Sequence, residues 1–264
     1  MDAVAYADYL DRLVVSLGAD DRVVGIVGLG STAATGREPD EWSGHDLRVI
    51  VVPGCEEEYR ADPSWLPDYG RLILWMRETA HGMKAVYDDG HLVEVAVFRP
   101  DELAVARVNA YRVLLDKGGV TESLAGVLEE TTAHLAGARR SEAYLAGQFV
   151  THLLVGLNRY ARGEILSGYE FIGTHAVGDL LALLPMVLEP ADTAAIDDLD
   201  PRRRVEQMFP VPAAHISQAL AGSVPEAALG LLAAAETSVK PHLSEWPAGV
   251  AAIVRRQATD LLAR

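Results

Sequence analysis

Cysteine is nearly absent from this chain, since Cys55 is the only one among 264 residues. A single thiol excludes an internal disulfide and a cysteine-based zinc site, and such usage is typical of a reducing compartment. The longest apolar runs, such as 180–188, are much shorter than the ~20 residues of a membrane-spanning helix. The amino-terminal segment also lacks the basic residues and apolar run of a secretion signal. We therefore expect a cytoplasmic protein without a membrane partner.

Positive charge is also scarce, with 23 Lys and Arg against 38 Asp and Glu and a formal net charge of -15. Phosphate backbones repel such a chain, so a nucleic-acid partner is not expected. The same charge concentrates cations, which favours a small-molecule acceptor, a cationic one included. Half of the residues are hydrophobic, enough for a packed core, so disordered and fibrous classes are excluded. The oligomeric state stays open.

The hydrophobic pattern changes after Gly118-Gly119. Before this point apolar residues follow one helical face, then β-branched runs, then two alternating segments joined by Asp88-Asp89-Gly90, a hairpin turn. After it, helical faces broken by prolines dominate. The prediction is an α+β protein, with a mixed sheet and flanking helices in residues 1–118 and a helical bundle for substrate or partner in residues 119–264. The segments of the first region are a helix at 4–17, strands at 23–27 and 46–52, and a hairpin at 83–87 and 92–98.

Three polar positions lie at the ends or in the middle of these predicted strands. Gly30-Ser31 follows the first strand, Asp46 opens the second, and Glu94 lies inside a later one. Alternation places Glu94 on the same face as Ala96 and Phe98. A carboxylate on an apolar face is costly unless it is paired. A metal ion or an arginine is the expected partner of Glu94.

The order of these residues resembles a known family. Gly30-Ser31, a loop, Ser43-Gly44-His45-Asp46-Leu47 and the apolar run 49–52 resemble the motif of the DNA-polymerase-β-like nucleotidyltransferase superfamily. Within it, the aminoglycoside and lincosamide nucleotidyltransferases look most similar. Weaker likeness at 111–119, 158–164 and 200–206 extends the resemblance over most of the chain.

The resemblance implies an enzyme that moves a nucleoside monophosphate, AMP from ATP, onto a hydroxyl of a small molecule such as an aminoglycoside-like compound. Its implied cofactors are Mg²⁺ and ATP, the metal bridging the phosphates during in-line transfer. The resemblance implies that Asp46 and Glu94 are the catalytic and metal-binding acids, with Glu94 also acting as the base. It implies a nucleotide-binding set of Gly30, Ser31, His45 and Arg48, and it places Glu164 on the acceptor side.

One expected acid is missing. The family has two acids at the start of the second strand, whereas this chain has only Asp46. In the preferred register Gly44 replaces the first acid, and in the other register Arg48 replaces the second. His45 would compensate poorly, because imidazole is a weak Mg²⁺ ligand. On a strand, Arg48 shares a face with Asp46, so its guanidinium would reach Asp46 or Glu94 and provide a fixed positive charge.

Two alternatives therefore remain open. The loss of an acid favours a second hypothesis, a degenerate member of the family that serves as a ligand-binding or regulatory protein. Structural interpretations also exist for the single residues. Gly30-Ser31 would then be a simple turn, Asp46 a strand-end cap, and Glu94 a partner of Arg71 or Arg99. Glu164 would be a partner of Arg159 or Arg162, two neighbours along the chain.

Overall fold

The computed structural model describes residues 2–33, 39–138, 140–197 and 199–264. The chain divides into two compact units, Met1–Gly137 and Ala138–Arg264. Each unit has its own hydrophobic core. The first contains the β-sheet and is called the sheet unit, and the second contains only helices among its described regular elements and is called the helical unit. The predicted α+β class, a mixed sheet with flanking helices followed by a helical bundle, is confirmed.

The sheet unit contains a six-stranded mixed sheet in the order β3-β4-β5-β2-β1-β6. Only the β2–β5 pair is parallel, and the other four pairs are antiparallel. The hairpin prediction is confirmed, with Gly90 at φ +83°, a left-handed conformation that glycine adopts without a steric penalty. The elements are α1 (Ala3–Gly18), β1 (Val23–Leu29), a 3-10 turn (Gly30–Ala33), β2 (His45–Val51), α2 (Glu56–Ala61), a 3-10 turn (Tyr69–Arg71), β3 (Leu72–Arg77), β4 (Gly82–Tyr87), β5 (Leu92–Phe98), a 3-10 turn (Pro100–Val105), β6 (Tyr111–Asp116) and α3 (Val120–Gly137).

The two faces of this sheet are covered to different extents. One face packs against α1, whose Leu13 is fully buried beside Leu47 and Val95 of the sheet. On the other face, α3 covers one end, where Leu124 packs in a cluster with Ile50. The rest of this second face, which carries Asp46, Arg48, Lys84 and Glu94, keeps partly exposed side chains and is called the open face below.

Helix α3 belongs to the sheet unit. Val120, Leu124 and Val127 are buried in the same cluster as Val27 and Ile50 of the sheet. The division after Gly137 thus differs from the sequence-based boundary after Gly118. The sequence pattern marks where strands stop and helices begin, but it does not reveal which core a helix joins.

Strand β3 was not predicted. Its sequence, Leu-Ile-Leu-Trp-Met-Arg, shows no alternation of apolar and polar residues. The strand lies at the edge of the sheet, and side chains on both of its faces are exposed. Pro67 and Gly70, just before it, are residues that interrupt regular structure. Together these features hid a strand that follows a 3-10 turn at Tyr69–Arg71.

The helical unit packs its helices around α4, where Phe149, Leu153 and Leu157 are fully buried. The hydroxyl of Ser141 accepts a hydrogen bond from Tyr144 N and so caps the start of α4. A short π-helical turn, Phe171–Ala176, joins α5 to α6. The elements are α4 (Glu142–Ala161), α5 (Ile165–Glu170), α6 (Val177–Val187), α7 (Val205–Met208), α8 (Pro210–Leu220), α9 (Val224–Ser238) and α10 (Ala248–Leu262).

One helical stretch in the described part of the chain, Ile165–Val187, is long and apolar enough to cross a membrane. Its residues Ile172, Leu180 and Leu184 are nevertheless buried in the core of the helical unit. Core helices of this kind satisfy the same length and hydropathy criteria, so the stretch is weak evidence for a membrane span.

Candidate functional site

The two predicted acids lie side by side on the open face. In the parallel β2–β5 pair, Asp46 is opposite Glu94. In the antiparallel β4–β5 pair, Lys84 is opposite Glu94. Residues directly opposite in paired strands share a face of the sheet and are close enough to interact. The register therefore forms a row of charged side chains across three neighbouring strands.

Each acid in this row is paired with a cation of the same unit. Arg48 Nη1 donates to Asp46 Oδ1 at 2.8 Å and to Leu47 O at 3.0 Å. Lys84 Nζ lies 3.2 Å from Glu94 Oε1 and 2.7 Å from Glu78 Oε1. The hydrogen bonds of Lys84 to Glu78 and then to Glu94 raise the pKa of its ammonium group.

The ion pairs of Asp46 and Glu94 can be compared with the partners that the sequence predicts for these two acids. The predicted contact of Arg48 with Asp46 is confirmed. An arginine was one predicted partner of Glu94, and this was wrong, because a lysine from the neighbouring strand, Lys84, fills the role; the other predicted partner, a metal ion, stays a prediction. Arg71 pairs instead with Asp88 and Asp89, and Arg99 pairs with acids outside the open face.

The residues present do not fit the Mg²⁺ site that the resemblance implies. No group of three or more His, Cys, Asp or Glu residues able to hold a metal ion occurs in the described part of the chain. Asp46 and Glu94 supply two carboxylates, and Arg48 and Lys84 already balance them. A Cβ atom on Gly44 would lie 2.7 Å from Leu92 O, so this backbone does not accept an acidic side chain there.

The Gly30-Ser31 turn adjoins the start of β2. Gly30 has φ +53°, which favours glycine. Ser31 Oγ donates to Gly44 O at 3.0 Å, and Asp46 N donates to Thr32 Oγ1 at 3.2 Å. The turn thus fixes the backbone of Asp46, and the hydroxyl proton of Ser31 is used within the fold.

Thr32 and Tyr6 are structural residues of this site that sequence reasoning missed. Tyr6 Oη lies 2.8 Å from Thr32 Oγ1 and 3.3 Å from Ser31 Oγ. A Cβ on Gly28 would lie 2.7 Å from Thr32 O, which explains the glycine just before the turn. The glycine at position 28 was a signal in the sequence for the close approach to Thr32, whereas the contact of Tyr6, from α1, was not visible in the sequence pattern.

His45 lies on the opposite side of the sheet from Asp46 and is only 1% exposed. Its Nε2 donates to Tyr6 O at 3.1 Å, and its Nδ1 is 2.8 Å from His91 Nε2. Burial lowers the pKa of its imidazole to about 3. The expectation that His45 would contribute to a nucleotide or metal site therefore disagrees with the structure, because both ring nitrogens are used in the core.

Glu164 lies in the helical unit, just before α5. It accepts hydrogen bonds from Arg159 Nη1 at 2.7 Å and from Arg162 Nε at 2.9 Å. The hydrogen bond from Arg159 is the main cause that lowers the pKa of its carboxyl group. These are the local ion pairs of the structural interpretation, and a role of Glu164 beside an acceptor stays a prediction.

Comparisons with known proteins add little at the level of sequence. No protein-family model matches the chain, and no curated protein sequence matches it significantly. Among solved structures, the chain is similar to an aminoglycoside 6-adenyltransferase from Bacillus subtilis, with 13% identity and a TM-score of 0.35. That match covers 97% of this chain and 98% of the other. At this distance the likeness bears on neither activity nor substrate.

Proposed function

We propose that this chain is a nucleotidyltransferase-like protein that binds a nucleotide on the open face without Mg²⁺ and has lost metal-dependent transfer. The observation that carries the proposal is the ion pair between Arg48 and Asp46, at 2.8 Å on the open face. A guanidinium provides a permanent positive charge and a fixed fork of donors that suit phosphate. Arg48 would take over the charge that the metal supplies in the family.

The backbone favours the register in which Arg48 replaces the second acid. Asp46 and Arg48 are two residues apart on β2 and lie on one face, as two acids separated by one residue would. Position 44 has no room for a side chain. The preferred register of the sequence analysis placed the missing acid at Gly44, and the close approach of Leu92 argues against it.

The rival proposal is the enzyme implied by the resemblance: transfer of AMP from MgATP to a hydroxyl of a small, cationic, aminoglycoside-like acceptor. It requires Lys84 and Arg48 to release the two carboxylates when the metal enters. Both acids keep a substantial part of their side chains exposed, 38% for Asp46 and 46% for Glu94. Solvent exposure makes such surface pairs weak enough to be exchanged.

A thermal-shift titration with ATP separates the two proposals, because a ligand that binds the native state raises its apparent stability. We expect ATP alone to raise the Tm of the wild-type protein, with no further rise when Mg²⁺ is added. Arg48→Ala should abolish the shift, whereas Arg140→Ala, at an exposed position between α3 and α4, should keep it. A shift that requires Mg²⁺ and disappears in Asp46→Ala, together with AMP transfer to an aminoglycoside, would contradict the proposal and support the enzyme.

A second experiment tests the position of Arg48 directly. Arg48→Asp places a third carboxylate on the face of Asp46 and Glu94, and three clustered carboxylates are a better site for a divalent cation than two. We expect the variant to bind Mn²⁺ at least tenfold more tightly than the wild type, as measured by electron paramagnetic resonance. Arg112→Asp, on strand β6, is the matched control. Equal Mn²⁺ affinity in all three proteins would mean that Arg48 does not occupy the metal's position.

A further inference from the structure

Strand β3 is an open edge of the sheet. It pairs with β4, and no strand in the described part of the chain pairs with its other side. In an antiparallel pair, residues that bond to the neighbouring strand alternate with residues whose backbone groups point away from it. Glu78 N donates to Gly82 O at 2.9 Å, so this pair is a bonded one. The N–H and C=O groups of Trp75 and Arg77, an odd number of positions away, therefore face outward and are free to bond to another strand.

The side chains of β3 are apolar and exposed as well. Ile73, Leu74 and Met76 are 69%, 44% and 42% exposed. Edge strands usually avoid association by carrying prolines or several charges. The six residues of β3 include no proline and one charge, that of Arg77. Unpaired backbone groups beside exposed apolar side chains are the features that a strand added to the sheet edge would cover.

The opposite edge of the sheet is different. Strand β6 has two exposed residues, Arg112 and Asp116, and its apolar residues are partly buried. Charged side chains on an edge strand oppose the addition of a further strand. A contact between β3 of one copy and β6 of another would also be heterologous and would continue without closing. Within this fold, the edge that matches β3 is β3 of a second copy.

The sequence of β3 can pair with itself around Trp75. Residues 74–77 pair with β4 without a register shift, so this part of the strand is regular. In two antiparallel copies related by a two-fold axis at Trp75, Leu74 of each copy lies opposite Met76 of the other. These exposed apolar side chains then cover each other on one face of the joined sheet. The outward backbone groups of the two Trp75 residues lie opposite each other and can exchange hydrogen bonds.

The neighbouring registers match less well. A two-fold axis at Leu74 would place Arg71 of each copy opposite Arg77 of the other, and like charges directly opposite are destabilising. An axis at Met76 would place Leu74 opposite Glu78 and so leave an apolar side chain beside a carboxylate. The register centred on Trp75 avoids both arrangements.

Charges at the ends of the strand favour the same register. With the axis at Trp75, Glu78 of one copy lies opposite Leu72 of the other, at the position next to Arg71. The side chains of Arg71 and Glu78 are 50% and 45% exposed. An acid and a cation of different copies therefore occupy neighbouring positions at both ends. Such charge complementarity selects a register more than it adds affinity.

We propose that two copies of this chain associate through β3, antiparallel and centred on Trp75, so that their six-stranded sheets join into one continuous sheet. The contact uses the same residues in both copies and closes as a dimer. It does not depend on nucleotide binding at the open face, so either proposal can fail without the other.

Sedimentation equilibrium of the full chain tests the association. At about 100 µM the wild type should be mostly a dimer with twice the 28.4 kDa mass of one chain, since one strand pair is a small interface of modest affinity. Leu74→Lys should raise the dissociation constant at least tenfold, because lysine on an edge strand opposes pairing. Val15→Lys, at an exposed position on α1, should leave it unchanged. A monomeric wild type, growth beyond the dimer, or equal constants for the two variants would overturn the proposal.

Mixtures of charged variants test the register. Leu74→Lys and Met76→Glu should each be monomeric alone at the same concentration. In a mixture of the two, the axis at Trp75 brings the new lysine opposite the new glutamate, so a one-to-one heterodimer should form. Leu74→Lys mixed with Leu74→Glu is the matched control and should stay monomeric, because position 74 does not lie opposite itself. A heterodimer in the control mixture, or none in the first mixture, would overturn the proposed register.

Discussion

The two faces of the sheet hold polar residues under different conditions. On the face that packs against α1, His45 and His91 are 1% and 7% exposed and hydrogen-bond to each other. On the open face, Asp46 and Glu94 keep 38% and 46% of their side chains exposed, beside Arg48 and Lys84. Burial disfavours the charged form of a group unless a counter-charge accompanies it. The same sheet therefore contains a neutral histidine pair on one side and a charged row on the other.

The comparison also explains why adjacent residues have different roles. His45 and Asp46 are neighbours on β2, yet successive side chains of a strand point to opposite faces. His45 thus becomes part of the core, and Asp46 keeps 38% of its side chain exposed on the open face. On a β-strand, the residues directly before and after an acid point to the opposite face of the sheet, so they lie away from the acid's own site.

The largest expected effect contrasts apolar side chains on the two faces. Leu47 is fully buried against α1, whereas Leu74 on β3 is 44% exposed. Leu47→Ala should lower the free energy of unfolding by about 3 kcal/mol, because a large-to-small change in a core leaves a cavity. Leu74→Ala should cost about 0.5 kcal/mol. Urea unfolding measures both, and similar losses would break the distinction between a covered and an open face.

A pH series sharpens the comparison through His45. In the unfolded chain this imidazole takes up a proton near pH 6.5, whereas in the folded protein burial lowers its pKa to about 3. The unfolded state therefore binds more protons below pH 6.5, so stability is complete above that pH and falls as the pH decreases. One such histidine removes about 2 kcal/mol between pH 6.5 and 5.

The measurement is the urea midpoint at several pH values in this window. His45→Gln should flatten the dependence, since glutamine does not titrate. The exposed His134→Gln on α3 is the matched control and should keep the wild-type slope. If His45→Gln and the wild type lose stability in parallel, the imidazole is not held neutral by the fold.

The smallest effect concerns the ion pair on the open face. Arg48 and Asp46 are 2.8 Å apart but partly exposed to solvent. A double-mutant cycle with Arg48→Ala and Asp46→Ala should give a coupling energy of about 0.5 kcal/mol, as for other solvent-screened pairs. A coupling above ~2 kcal/mol would mean that the pair supports the fold, and this would weaken the proposal that Arg48 is available to a ligand.

Local sequence patterns are enough to predict the strands that carry the candidate site and the residues on them. The β-branched runs predict strands, and the Asp-Gly pair at Gly90 predicts the hairpin turn. The two valines beside Glu94 place this residue inside a strand. The alternation of faces also predicted the contact of Arg48 with Asp46, because residues two apart on a strand share a face. Local patterns of this kind need no knowledge of distant neighbours.

The partners that these residues contact depend on how the strands and helices pack together. Lys84 faces Glu94 because of the strand order and register, Leu92 leaves no space at Gly44, and His91 occupies the second nitrogen of His45. The contacts of Gly44 with Leu92 and of His45 with His91 join segments that are far apart in sequence, whereas Lys84 and Glu94 face each other within the β4–β5 hairpin. The open edge at β3 likewise depends on the strand order of the whole sheet, because no local pattern tells which strand lacks a second neighbour.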